Sequence, residues 1–220
     1  TRDNMDSLAV ELCSHGWATW NLDYHRVGTG GGWPATLEDV AAGADRLAAL
    51  APDYDLDPGR VVLVGHSAGG HLALWAAARP HLSNGIPDPE ARVHPHAVVA
   101  LAPVADLEDA YARNLGDGAV AEFLRRTPQD GAERYAASSP RSLLPLGVRQ
   151  VLIHGTDDIA VPVEMSRAYA AAAGEAGDTV VYRELEGVDH SSLINPKSAA
   201  GQTVIAEIDK LSAGEFLDPS

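Results

Sequence analysis

Val61-Val62-Leu63-Val64-Gly65-His66-Ser67-Ala68-Gly69-Gly70-His71-Leu72-Ala73-Leu74-Trp75 is the stretch that decides the fold. Its four leading aliphatic residues read as a buried strand, and the alanine- and leucine-rich run after Gly70 reads as a helix. Between them stands G-x-S-x-G. A serine at the tip of a sharp strand-to-helix turn is lifted out of the sheet, where a base and an acyl carbon can both reach its hydroxyl. Gly65 and Gly69, two residues to either side, leave no side chain to clash as the strand swings into the helix. Ser67 is therefore the candidate nucleophile. The N–H of Ala68, directly after it, is a candidate oxyanion donor.

The elements on either side extend the same pattern. Met5, Leu8, Ala9, Leu12 and Cys13 recur at helical spacing over residues 3–15, with Asp3 as N-cap and Cys13 in the buried stripe. Residues 17–22 read as a strand, followed by the loop Val27-Gly28-Thr29-Gly30-Gly31-Gly32-Trp33-Pro34 and a helix over 36–50 capped by Thr36 with Asp39 three residues on. Further strands are expected at 60–64, 97–101, 149–154 and 179–185, with helices at 164–174 and 198–211. Trp17, Trp20 and Trp75 take core positions in their elements. Residues 104–147, short and helical with several prolines, read as an inserted cap. Strands alternating with helices give an α/β fold with a mainly parallel sheet, and with the serine turn the expectation is an α/β-hydrolase fold: one domain over 1–220, cap included.

Composition narrows the function. The chain has 220 residues, 45% of them hydrophobic and 21% charged, as in a soluble globule. Sixteen Lys and Arg against 31 Asp and Glu give a net charge of −15, which argues against nucleic acid and anionic membranes as partners. A lone cysteine excludes an internal disulfide and any multi-cysteine metal site. No run approaches the ~20 apolar residues of a membrane span, and no signal peptide is visible, so the expectation is cytoplasmic. The chain begins at Thr1 rather than Met, so that expectation rests on what is visible only. His94-Pro95-His96 lacks a further ligand at metal spacing and reads as a pre-strand loop. His71, one turn beyond Ser67, reads as a packing residue. Tyr24 and Tyr111 are minor candidates for the pocket.

A serine nucleophile needs a base. In the α/β-hydrolase order Ser, Asp, His, the later partners follow later strands. Gly155-Thr156-Asp157-Asp158-Ile159-Ala160-Val161-Pro162 and Glu186-Gly187-Val188-Asp189-His190-Ser191 stand where two parallel strands end, the edge on which open α/β sheets place their sites. His190 is the candidate base. Asp157 and Asp158 compete for the carboxylate that fixes its tautomer.

The chain resembles α/β-hydrolases of the kynurenine formamidase-like and hormone-sensitive-lipase-like esterase type. The resemblance rests on Gly65-His66-Ser67-Ala68-Gly69-Gly70-His71-Leu72, on Asp23-Tyr24-His25-Arg26, and on the His154-Gly155 and Asp189-His190 loops. In such enzymes the acid stands in G-x-x-D-x-x-V-P, which Gly155, Asp158, Val161 and Pro162 fit, so the resemblance implies Asp158. It implies a serine esterase acting on small-molecule esters without metal or organic cofactor, with an arylformamidase as the enzymatic alternative. Trp33, Gly31, Gly32 and His66 are the candidate substrate-binding residues.

The resemblance also has a gap. These esterases carry an H-G-G-x-W or H-G-G-G loop whose N–H groups form half of the oxyanion hole, and this sequence has none. The strand preceding that motif lies between those expected at 17–22 and 60–64. Three arrangements answer this: a fragment of a longer enzyme, a strand supplied by another polypeptide, or a sheet closed over the gap. The flexible backbone of Gly28 to Gly32 is a candidate source of the second donor, and an open sheet edge would permit a homodimer. A catalytically impaired α/β-hydrolase scaffold is the rival reading from outside enzymology.

Overall fold

A computed structural model describes residues 2–82 and 91–212. Four strands, β1 (Val62–His66), β2 (Ala97–Leu101), β3 (Arg149–Gly155) and β4 (Val180–Leu185), form one sheet in the order β1-β2-β3-β4. All three pairings are parallel. The period of two along each strand sorts the core into two layers. Val99, Leu101, Val151 and Ile153 face α1 (Arg2–Ser14) and α8 (Ala199–Ser212) through Leu8, Leu12, Val204, Ile205 and Ile208. Val98, Ala100 and Leu152 face α3 (Ala68–Ala78) and α7 (Val163–Glu175) through Leu74, Ala77, Tyr169 and Ala173. Every residue of β2 is fully buried, as a parallel strand covered on both faces must be. Each such valine or leucine contributes about 1.5–3 kcal/mol.

A second layer of helix packing flanks α3. Leu37, Val40 and Ala41 of α2 (Ala35–Leu50) meet Leu72, Trp75 and Ala76. Between β2 and β3 run α4 (Leu107–Ala112), α5 (Ala119–Leu124) and α6 (Ala132–Ser138), which close their own cluster around Leu124 and Tyr135.

Five expectations need correction. Residues 17–22 form no strand. Val61 C=O accepts from His96 N–H and Ser67 N–H donates to Leu101 C=O, so the odd residues of the first strand face β2. The N–H and C=O groups of Val62, Val64 and His66 face outward, with no partner strand among the described residues. The sheet has not closed over the gap. Residues 17–22 are tied instead by side chains: Trp17 Nε1 donates to Asp209, Trp20 Nε1 to Gly43 C=O and Asn21 Nδ2 to Asp6. Trp20 is accordingly 48% exposed rather than in the core.

Cys13 is exposed, its sulfur 3.1 Å from Thr19 Oγ1; the buried stripe of α1 runs through Leu8 and Leu12, and residue 13 lies about 100° round from residue 12. α1 begins at Arg2, so Asp3 lies inside it rather than capping it. Thr36 does not cap α2 either, because that helix starts at Ala35 behind Pro34. Thr36 Oγ1 donates to His25 C=O and accepts from Gly32 N–H, while Asp39 accepts from His25 N–H and Nδ1. Both side chains stitch down the loop before the helix.

Candidate active site

Ser67 ends the β1 turn and opens α3 with φ 58° and ψ −122°. Such a conformation costs a non-glycine residue about 1–3 kcal/mol and persists only where its surroundings over-determine it. Here Ser67 N–H donates to Leu101 C=O at 2.8 Å, and Ser67 C=O accepts from His71 N–H at 3.1 Å. A Cβ on Gly65 would fall 2.0 Å from the carbonyl oxygen of Gly69, so strand and helix cross only with glycine there. Ala68 N–H, in the first turn of α3, has no intrahelical acceptor and lies at the positive end of the helix.

His190 and Asp158 come from the loops after β4 and β3. A Cβ on Gly155 would fall 2.0 Å from Val188 C=O, and Asp157 N–H donates to the same oxygen at 3.0 Å. That backbone contact draws the two loops together. His190 Nδ1 lies 2.5 Å from Asp158 Oδ2, and the Asp158 side chain is wholly buried. Burial alone would raise the Asp158 pKa. Hydrogen bonds from Val161 N–H, His190 and Ala160 N–H outweigh it and hold the carboxyl below its ordinary range. Asp158 is thus a carboxylate and only accepts, so His190 Nδ1 carries the proton and Nε2 is left as a base. Asp157, exposed, meets only Thr156 Oγ1 at 3.3 Å with its side chain. No hydrogen bond joins Ser67 Oγ to His190 in this structure, a looseness common before substrate arrives.

Two further histidines hold this pair. The His66 and His190 rings meet with centroids 4.3 Å apart and planes tilted by 46°, and His66 Nε2 donates to His190 C=O at 2.8 Å. Burial, then the neighbouring His190, lower its pKa to about 4, so it is neutral. His66 therefore spends its donor on the backbone of His190. His154, fully buried on β3, sits with Nε2 3.0 Å from Val161 C=O and 3.2 Å from Asp158 Oδ2, and accepts from Ser166 Oγ at Nδ1. Burial keeps it neutral by lowering its pKa. Neither role is visible in sequence, where His154 is one more residue of an apolar strand. His71 is buried, donates to Ser138 C=O and meets the edge of Phe123.

The glycine loop is committed elsewhere. Thr29 and Gly31 N–H both donate to Arg26 C=O, and Gly32 N–H donates to Thr36 Oγ1. Gly31 and Gly32 are buried, and a Cβ on Gly31 would strike His25 C=O at 2.0 Å. Their N–H groups are thus spent on folding the loop. Trp33 lines a cavity of about 420 Å³ with Pro34, Arg125, Arg126 and Arg134, and none of Ser67, Asp158 and His190 lines it.

Among the described residues no helix is long and apolar enough to cross a membrane. A family model described as BD-FAE matches residues 1–172. Esterase LipQ of Mycobacterium tuberculosis (strain ATCC 25618 / H37Rv) is 31% identical over 195 residues, covering 84% of this chain and 44% of that protein. Esterase LipC of the same organism is 28% identical over 211 residues, covering 91% of this chain and 51% of that protein. The chain spans about half the length of the curated relatives it matches. The thermophilic esterase Est2 of Thermogutta terrifontis, solved with propionate bound, superposes with a TM-score of 0.72 at 25% identity, over 97% of this chain and 79% of that one.

Proposed function

The chain belongs to the BD-FAE family and has the α/β-hydrolase fold, and on that premise we propose that it is a carboxylesterase-type serine hydrolase working on small esters. The observation that carries this reading is the His190–Asp158 bond beside the serine turn. Ser67 Oγ attacks the ester carbon while His190 Nε2 takes its proton, and Asp158 stabilises the imidazolium. Ala68 N–H meets the oxyanion. Collapse expels the alcohol, which leaves with the proton from His190. Water then attacks the acyl-serine with His190 again as base, releasing the acid and restoring Ser67. No step calls for a cofactor. Residues 104–147 act as the cap, the setting is cytoplasmic, and the open β1 edge is where a homodimer would form. The relatives named as esterases support the ester reading.

Labelling with a fluorophosphonate tests the site. A single adduct on Ser67, absent in Ser67→Ala, together with Ser67-dependent turnover of acetyl and butyryl esters, is the expected result. An aryl formamide in the same panel tests amide hydrolysis. One observation favours a second reading, an impaired scaffold: three N–H groups of the glycine loop are already spent, and losing one oxyanion donor costs about 100- to 1000-fold in rate. Folded protein that takes no probe would establish that reading.

A further inference from the structure

The cavity at Trp33 gathers Arg125, Arg126 and Arg134 around one indole. Arg125 and Arg126 are exposed and Arg134 is half-buried, so their like charges face one another across an open surface that an anion could bridge. The chain carries 31 acidic residues against 16 basic ones, yet none of these three arginines forms an ion pair with a carboxylate among the described residues. Glu122, Asp130 and Glu133 are near in sequence, and Asp130 is taken by Thr127 Oγ1 at 2.9 Å.

The pocket is built rather than incidental. Arg134 lies 4.1 Å over the Trp33 ring and spends one Nη1 donor on Leu124 C=O at 2.8 Å. Arg125 adopts φ 53°, a left-handed conformation that costs about 1–2 kcal/mol outside glycine. It thereby turns its Nη2 onto Gly31 C=O at 3.1 Å. Trp33 N–H is fixed to Phe123 C=O at 2.7 Å, which ties the glycine loop to α5. A guanidinium has five N–H donors, so Arg125 and Arg134 each keep most of theirs, and no hydrogen bond or ion pair joins the Arg126 guanidinium to another described residue. Trp33 Nε1 is buried without a partner.

We propose that the Trp33–Arg125–Arg126–Arg134 cavity is a binding site for a small organic carboxylate with an apolar or aromatic body. Guanidinium forks match the planar carboxylate in bidentate fashion, and Trp33 with Pro34 gives an apolar wall for the body. The depression is open to solvent, and its volume of about 420 Å³ leaves room for a ligand the size of a substituted benzoate to lie against the indole. The lining decides between oxyanions, because Trp33 and Pro34 offer an apolar wall that the body of an organic carboxylate can cover and inorganic phosphate cannot use. The site is independent of the ester chemistry proposed above, since no triad residue lines it.

The test is a calorimetric titration of Ser67→Ala protein, which excludes turnover, with benzoate, benzamide and inorganic phosphate. Benzoate should bind saturably and more weakly as salt rises. Benzamide and phosphate should bind at least about tenfold more weakly, because the neutral amide lacks the charge-assisted pairing and inorganic phosphate has no apolar body to lay against Trp33. Arg126→Gln, which breaks no hydrogen bond or ion pair among the described residues, should weaken benzoate about five- to tenfold, as expected for one exposed charge-assisted bond. Arg125→Gln should do likewise. No benzoate binding, benzamide binding as tightly, phosphate binding more tightly, or affinity unmoved by both substitutions would each overturn the proposal. All of these outcomes are readable whether or not the chain hydrolyses esters.

Discussion

His66 and His190 are locked to one another twice, by a 2.8 Å hydrogen bond from His66 Nε2 to the His190 carbonyl and by a tilted ring contact at 4.3 Å. The residue next to the serine thus holds the loop that carries His190. The chain position of the serine turn and the position of His190 are set by one contact, across the edge of the sheet where β1 ends.

His66→Ala should lower kcat about tenfold while leaving KM nearly unchanged. One hydrogen bond and one ring pair amount to about 1–3 kcal/mol, and the loss falls on how well His190 is placed, at about 1.4 kcal/mol per factor of ten. His66→Gln, which keeps a donor, should recover part of the rate. A raised KM with unchanged kcat would mean that His66 touches substrate, the role its sequence position suggests.

Asp158→Asn should cost about 10⁴ in kcat. Ala160 and Val161 N–H both point at Oδ1, so the amide oxygen of Asn would take that side and its NH₂ would face His190. Nδ1 must then accept, which moves the ring proton to Nε2 and removes the base. Asp157→Asn, whose carboxylate meets only Thr156, should stay within about threefold of the parent rate, as surface substitutions usually do. Equal losses in the two variants would refute the assignment.

Much of this was legible in advance, and the exceptions share a cause. β2 and β3 announce themselves as apolar runs, and Ser67 as the tip of a glycine-flanked turn. Residues 17–22 have strand composition but no strand, because a strand is a property of a pair and the outward groups of Val62 and Val64 are not paired with them. Thr36 and Asp39 have cap spacing, yet the loop before them offers His25 and Gly32 as better partners. Choosing Asp158 over Asp157 needed the family register, since adjacent residues have nearly the same composition context. His154 stood in the sequence only as part of the His154-Gly155 resemblance, with no signal for what its ring holds. Its role depends on Val161 and Ser166 folding back over the strand.

Stability should fall as pH drops from about 6.5 towards 4. Burial lowers the pKa of both His66 and His71 to about 4, whereas the unfolded chain titrates near 6.5. Within that window the unfolded state binds more protons, so acid favours unfolding by up to about 1.4 kcal/mol per pH unit for each group. His154 adds in the same direction. Carboxylates held below their ordinary range, such as Asp158 and Asp45, lose their contribution only at lower pH. Urea midpoints at pH 7 and pH 5 would measure the slope, and His71→Gln should flatten it. A midpoint that does not move between those pH values would contradict neutral burial of these rings.

Gly155→Ala should damage fold and site together. The added methyl would meet Val188 C=O at 2.0 Å and Val188 Cβ at 2.9 Å. Backbone cannot yield as a flexible side chain can, so the loops after β3 and β4 must part. Asp158 rides on the first and His190 on the second, and their 2.5 Å bond depends on that spacing. Overpacking of this kind costs about 1–3 kcal/mol or more in stability. Gly174→Ala, where nothing lies within 4 Å of the new methyl, is the control and should be neutral or slightly stabilising in its helix. Fluorophosphonate labelling of whatever Gly155→Ala protein folds separates the two effects. Reduced melting temperature with normal labelling at Ser67 would show that the glycine serves the fold alone, whereas slow labelling in protein that is still folded is the outcome that a shared hinge between acid and base requires.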